Sequence, residues 1–206
     1  NSSNVAVGYK AGEDLTGHHN SFVGTIAGKD AADVDQCVII GSQAGIAAMG
    51  SGADGTIAVG YGSLGAITSG VNIAIGVEAA ALLTTGTLNT IIGHQAMDAA
   101  DASESQNTAI GAYSMGAIDE GASGDGNNNI CVGYQAGLGG ETAEFTGNTA
   151  IGAYAFDGST TQSISNVVAI GFHALGGAVE DEAAGTVAIG KDALLALTTG
   201  AGNVAV

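Results

Sequence analysis

The sequence predicts an all-β fold: a single-chain β-solenoid, or β-roll, of about eleven rungs with two short strands per rung. Three observations carry that reading. The stretch Asn148-Thr149-Ala150-Ile151-Gly152-Ala153-Tyr154-Ala155 recurs almost letter for letter at Asn107-Thr108-Ala109-Ile110-Gly111-Ala112-Tyr113-Ser114. Weaker copies set their glycine at Gly8, Gly24, Gly41, Gly60, Gly76, Gly93, Gly133, Gly171 and Gly190, at intervals of 16 to 22 residues, and a twelfth copy opens at Asn203-Val204-Ala205-Val206. No window places apolar residues at helical spacing over the length an amphipathic helix needs.

Each column of the repeat implies a role. Val or Ile precedes the glycine in every copy: Val7, Val23, Ile40, Val59, Ile75, Ile92, Ile110, Val132, Ile151, Ile170 and Ile189. Four positions before the glycine stands Asn in seven copies: Asn4, Asn20, Asn72, Asn89, Asn107, Asn129 and Asn148. The short β-branched run between the two suits a strand, and the glycine permits a bend or a close backbone approach that a Cβ would block. Asn carries both a donor and an acceptor and tolerates turn geometry, so its copies are expected to stack into a hydrogen-bonded ladder. A glycan-binding or glycosylated role is the alternative for these asparagines.

Side chains alternate along a strand, so positions one and three before the glycine share a face. Position two faces the other way and holds seven Ala plus Phe22, Ile39, Ile91 and Cys131. Both faces are apolar, which implies one inside the coil and one against a partner. The expectation is that the Ala face lines the coil and the Val/Ile face meets the axis of a parallel homotrimer. On that reading Ile151→Asp buries a charge in a stacked column and costs several kcal/mol, in the range of about 4–5 seen for severe substitutions. Farther along each repeat, Thr16-Gly17, Ser69-Gly70, Thr85-Gly86, Thr146-Gly147 and Thr199-Gly200 mark a second corner. Leu82-Leu83 and Leu194-Leu195-Ala196-Leu197 read as second strands, and Asp119 to Asn129 as a protruding loop.

Composition agrees with a narrow coil. Thirty-six glycines, no proline, no tryptophan and 4% aromatics leave too few large side chains for an ordinary globular core. Glycine without a three-residue period excludes collagen, and 46% hydrophobic residues in regular columns exclude disorder. A net charge of −17 with three lysines and no arginine excludes a nucleic-acid partner and disfavours anionic membrane surfaces. No apolar run is long enough to insert into a membrane.

The acids gather between repeats, at Asp30, Asp33 and Asp35; Asp98, Asp101 and Glu104; Asp119, Glu120 and Asp125; and Glu180, Asp181 and Glu182. Solvated loops explain them, and a structural Ca2+ is the sharper alternative, although no cluster has EF-hand spacing. No catalytic, cofactor-binding or metal-ligating constellation stands out. His18, His19, His94 and His173 lie in different columns or rungs without a recurring acid, Ser or Cys partner. Cys37 and Cys131 fall about five rungs, or roughly 24 Å, apart and read as buried thiols rather than a disulfide.

The Asn-Thr-Ala-Ile-Gly-x-x-Ala repeat resembles the shaft repeats of phage tail fibres and the head repeats of trimeric autotransporter adhesins. The resemblance spans essentially all 206 residues. It implies an extracellular, non-enzymatic, homotrimeric β-solenoid on a virion or cell surface, supporting attachment to a glycan or protein receptor. Residues 1–206 form one continuous repeat domain without caps, which makes an end-to-end filament the second expectation. Ile-Gly-x-x-Ala also resembles one hexapeptide of left-handed acyltransferase helices, but it appears once per rung here instead of back to back. Aromatic side chains just after the glycine, Tyr9, Tyr61, Tyr113, Tyr134, Tyr154 and Phe172, are candidates either for stacking on sugars or for packing over the turn below.

Overall fold

The computed structural model describes residues 3–118, 126–138, 145–158, 164–177 and 183–206. Its strands are β1 (Val5–Val7), β2 (Ser21–Val23), β3 (Val38–Ile40), β4 (Ile57–Val59), β5 (Ile73–Ile75), β6 (Thr90–Ile92) and β7 (Thr108–Ile110). They continue as β8 (Ile130–Val132), β9 (Phe145–Thr146), β10 (Thr149–Ile151), β11 (Ile164–Ser165), β12 (Val168–Ile170), β13 (Val187–Ile189) and β14 (Val204–Ala205). Twelve of these strands stack in chain order as one parallel sheet, and β9 pairs with β11 on another wall. Helix amounts, among the described residues, to a 3-10 turn at Ser51–Ala53 and a single 3-10 residue, Ala183. The chain is a parallel β-solenoid.

Register never slips. Ala6 pairs with Phe22, Phe22 with Ile39, Ala109 with Cys131 and Cys131 with Ala150, so each column of the repeat is a physical column of the sheet. The longest interval, from Gly111 to Gly133, is absorbed outside the sheet without moving this pairing. The glycine at the end of each strand explains why. Gly111 has φ +131°, and a Cβ on it would lie 2.4 Å from the carbonyl oxygen of Gly133. The same overlap, 2.2–2.7 Å, would occur at each column glycine from Gly8 to Gly171.

The chain then turns by alternating backbone hands. Residues two and four after each column glycine have positive φ, even where they are bulky: Ile26 (53°), Tyr154 (58°), Phe156 (52°) and Leu175 (53°). Such a conformation costs an L-residue about 1–2 kcal/mol. Hydrogen bonds between rungs hold it in place: Ile26 N–H donates to Tyr9 O (2.7 Å), Tyr154 N–H to Tyr134 O (2.9 Å) and Phe156 N–H to Ala174 O (2.9 Å). From Ile26 to Leu175 the first amide of each such pair points to the rung before and the second to the rung after, so both neighbours restrain these turns.

The interior belongs to the residue two before the glycine and to those three and four after it. Size is traded between them. Where the strand contributes Phe22, Ile39 or Cys131, the turn contributes Gly28, Gly45 or Gly137, and a Cβ there would meet the large side chain at 2.6, 3.3 or 2.2 Å. Where the strand contributes Ala58, Ala109, Ala150 or Ala169, the turn contributes buried Leu64, Met115, Phe156 or Leu175. Ala74 and Ala80 are both small, and the neighbouring rung offsets them with Ile91 and Met97. Core density is thus kept along the coil.

The Ala face lines the coil, and the Val/Ile column lies on the outer surface of the chain, with Ile151 39% exposed. Three other expectations need revision. A charge at Ile151 is therefore not buried within one chain, because alternate strand side chains point apart and the narrow coil takes only the residue before it. Leu82-Leu83 and Leu194–Leu197 are turns: Leu83 is a buried wedge, and Leu194 has φ 52°. A second strand within a rung occurs, among the described residues, at β9 before β10 and at β11 before β12. Of the expected loop, Asp119–Asp125 lies outside the described residues, and so do Glu180, Asp181 and Glu182. The segment from Gly126 to Asn129 has already rejoined the coil, with Gly126 buried.

Gly111→Ala is expected to destabilise by more than about 4 kcal/mol, because overlap with a neighbouring backbone has no side-chain escape. Gly190→Ala has no atom within 4 Å of its new carbon and should lose only backbone strain, about 1–3 kcal/mol. Denaturant unfolding of the two variants checks the contrast, and equal losses would deny the column its role.

Candidate functional site

The asparagine column is a ladder with a repeated hydrogen-bond unit. Each Oδ1 accepts the backbone amide of the next rung: Asn20 N–H to Asn4 (2.9 Å), Asn89 to Asn72 (3.1 Å), Asn107 to Asn89 (2.9 Å), Asn129 to Asn107 (2.9 Å) and Asn148 to Asn129 (2.9 Å). Each Nδ2 donates to a carbonyl of the second corner, such as Val34 (2.7 Å), Glu104 (2.7 Å), Phe145 (2.6 Å) and Ile164 (3.0 Å). The ladder runs Asn4–Asn20–Cys37 and then, unbroken, from Asn72 to Val167. These side chains are buried except at Asn4, so glycan contact and glycosylation do not suit Asn20, Asn72, Asn89, Asn107, Asn129 or Asn148.

Four residues of this column are not Asn and escaped notice in the sequence: Val167, which ends the ladder with its backbone amide alone, and three with a side-chain donor. Cys37 Sγ lies 3.3 Å from Ala53 O, and Thr56 Oγ1 donates to Gly70 O at 3.1 Å, each supplying the donor half of the unit. Thr186 stands in the same column with its hydroxyl buried and without a partner. Burial pushes the Cys37 thiol up, and pushes that of Cys131 up to about 12. Both thiols are therefore protonated, poor nucleophiles at neutral pH.

The outer face of the twelve-stranded sheet is a partly exposed apolar surface. Its two columns, one and three before each glycine from Val5 to Ile189, hold only Val and Ile apart from Ser21, Thr90, Thr108 and Thr149. Not one is charged, on a chain of net charge −17. A shallow groove crosses it between Val71–Ile73 and Leu88–Thr90, but its two asparagines, Asn72 and Asn89, are already engaged in the ladder.

Beside this face runs an aromatic ladder. Ring centroids step from His94 to Tyr113 (5.3 Å), Tyr134 (5.9 Å), Tyr154 (5.3 Å) and Phe172 (5.8 Å), with interplanar angles of 72–86°. His173 closes the row at 5.0 Å from Tyr154. Edge-to-face geometry suits the ring quadrupoles, so these residues pack on one another first. Tyr134 (42%) and Phe172 (44%) keep a face in solvent. Tyr9 and Tyr61 are exposed at the same corner and stand outside the ladder. Among the histidines, His18 and His19 are exposed, and His173 Nδ1 is 3.9 Å from Asp192. Among the described residues, no three His, Cys, Asp or Glu side chains converge as metal ligands.

Two carboxylates are perturbed. Burial is the first cause raising the pKa of Asp98 and of Asp157 above the ordinary 3.8; Glu78 raises Asp98 further, while His94 and His173 respectively oppose the shifts. No known family model, curated protein or solved structure matches this chain.

Two predictions follow from this geometry. Asn129→Ala takes the side-chain partner from the Asn148 amide and from the Phe145 carbonyl in the interior, at roughly 1–3 kcal/mol for each orphaned group, while Asn107 Oδ1 keeps the backbone amide of residue 129. Asn4→Ala, at a half-buried site, should cost far less, and chemical denaturation reads both. For the acids, a folded pKa above the unfolded one means that the native state binds the proton more tightly. Stability from these groups is therefore present below 3.8 and lost as pH rises through the raised value. Asp157→Asn should raise the melting temperature at pH 7 in chelator and give no gain at pH 3. A gain that is the same at both would assign it to another cause.

Proposed function

We propose that this chain is a non-catalytic, stiff segment of an extracellular fibre, of the phage tail-fibre or bacterial surface-adhesin kind, built as a parallel homotrimer. The carrying observation is the uncharged Val/Ile stripe on an otherwise strongly acidic rod. Two columns on a sheet on the order of 50 Å long and about 10 Å wide make roughly 500 Å2 of flat apolar surface. That is near the upper limit for a soluble monomer, and the aromatic corner widens it. Identical chains set side by side have the same spacing along the rod, so each rung's Val/Ile pair meets its copies at every level. Acidic residues at the corners favour solubility and discourage wrong pairings.

A second role, attachment to a host-surface glycan, is favoured by the exposed rings of Tyr134 and Phe172 on the aromatic ladder. There a pyranose face would stack; a protein receptor would use the same corner.

Light scattering after size exclusion tests the main proposal. The expected mass is about three times 19.7 kDa. The double variant Ile92→Asp/Ile151→Asp should give a folded monomer, since exposed substitutions usually change stability by no more than about 0.5 kcal/mol. A wild-type monomer contradicts the trimer, and an open series of lengths favours end-to-end filaments instead.

A further inference from the structure

The fifth residue after each column glycine carries a pattern that the repeat itself does not require. In two places an Asp there is followed, one rung later, by a Gly at the same position: Asp98 then Gly116, and Asp157 then Gly176. At each glycine the position that a β-carbon would take is ringed by oxygen. A β-carbon on Gly176 would lie 2.9 Å from Asp157 Oδ1, 3.2 Å from the Tyr154 carbonyl oxygen and 3.3 Å from that of His173. One on Gly116 would lie 3.1 Å from the Tyr113 carbonyl oxygen, 3.3 Å from Asp98 Oδ1 and 3.4 Å from the Gln95 carbonyl oxygen. The two cages are built alike, from one carboxylate and two main-chain carbonyls of successive rungs. They recur because the alternating turn aims the carbonyl two after each glycine in the same direction on every rung.

Acceptors dominate both spaces. The Tyr113 and His173 carbonyls each accept one amide, from Gly116 (3.2 Å) and Gly176 (3.1 Å). Among the described residues nothing donates to the Gln95 or Tyr154 carbonyl. Among the described residues nothing donates to Asp157 Oδ1, which is closed off from solvent. Elsewhere the fifth position carries Glu13, Lys29, Ile46, Ala81, Leu138 or Leu195, and the one other acid, Glu13, is followed a rung later by Lys29 instead of Gly. Gly65 is the internal control: it has the open space, but the rung before it offers Ile46 in place of an acid.

We propose that the Asp98–Gly116 and Asp157–Gly176 cages are cation sites that take Ca2+. Calcium accepts irregular sets of carboxylate, carbonyl and water oxygens at about 2.3–2.6 Å, whereas Mg2+ demands a smaller, nearly octahedral shell. Three protein oxygens, completed by water from the solvent side, correspond to the weak extracellular class, with Kd of about 10−4–10−3 M. Transition metals prefer nitrogen and sulfur ligands, which neither cage supplies. The ion compensates a carboxylate that burial otherwise penalises, and it ties consecutive turns together at the corner where the aromatic ladder runs.

Terbium luminescence on the full chain tests this. Tyr113 and Tyr154 each lend a cage carbonyl, so their rings stand close enough to sensitise bound Tb3+, and the chain has no tryptophan to compete. Saturable tyrosine-excited emission is expected, displaced by Ca2+ and at least tenfold less readily by Mg2+. The double variant Asp98→Asn/Asp157→Asn should weaken Tb3+ binding at least tenfold. Gly116→Ala/Gly176→Ala should do the same by filling the space; neither glycine has positive φ, and the tightest contact, 2.9 Å at Gly176, is with the end of a carboxylate that can rotate, while at Gly116 the nearest atom is the Tyr113 carbonyl oxygen at 3.1 Å. Circular dichroism should show both variants folded, and Ca2+ should raise the melting temperature of the wild type alone. Emission unchanged in both double variants would place the ion in another acidic region and overturn the assignment. So would the lack of saturable emission, or displacement by Mg2+ equal to that by Ca2+.

Discussion

The close approach of one glycine peptide to the next is the constraint on which the rest of this structure depends. With a Cβ, each of these positions would drive into the carbonyl of the following rung, and with φ near +130° few other residues would settle there. The column therefore brings every rung to the same depth and ends every strand at the same point. All else that repeats does so because this column is in phase. The Asn ladder needs an amide of the next rung at about 2.9 Å. The aromatic row needs ring spacings of 5–6 Å. The oxygen cages need carbonyls from successive rungs to face one point.

Against that regularity the turn is strained. Left-handed residues as large as Phe156 and Leu175 persist because their amides are held by the rungs on either side and their side chains fill the space that a strand alanine leaves. Local cost is thus offset by neighbours, as in any solenoid, where stability arises between repeats rather than within one. Burying Asn side chains inside the corner works by the same logic. A lone buried amide is expensive, and a stacked series leaves few groups unpaired.

Much of the fold was legible in the sequence. Gly111, Ile110 and Asn107 fall at fixed offsets, and only in-phase stacking explains such columns. The assignment of faces was half legible: alternation separates Ala109 from Ile110, but a one-chain reading does not tell which apolar face is outermost until the coil's width is known. The turn was not legible, since Tyr154 or His173 gives no sign of left-handed geometry when tertiary hydrogen bonds impose it. The trade of Phe22 for Gly28 and of Ala150 for Phe156 was present in the letters, six positions apart, and is visible once both are known to share the interior. Cys37 and Thr56 hid in the asparagine column because they replace only half of what Asn does. Asp157 and Gly176 are nineteen residues apart, and only the stacking of rungs makes them neighbours.

The proposed fibre role and the proposed cation sites both rest on the rungs rising in equal steps whatever the length between them. Spin-label distances test that directly, with Cys37 and Cys131 replaced by Ala and the labelled chain diluted in unlabelled protein. Label pairs at Gln36/Gln106 and Leu88/Asn166 occupy one exposed column, 70 and 78 residues apart in sequence. Both span four steps of the sheet. In-phase stacking requires the same separation for both, about 19 Å between labelled backbones at about 4.8 Å per step. Separations that differ by a full step or more, or that grow with the number of intervening residues, would contradict it.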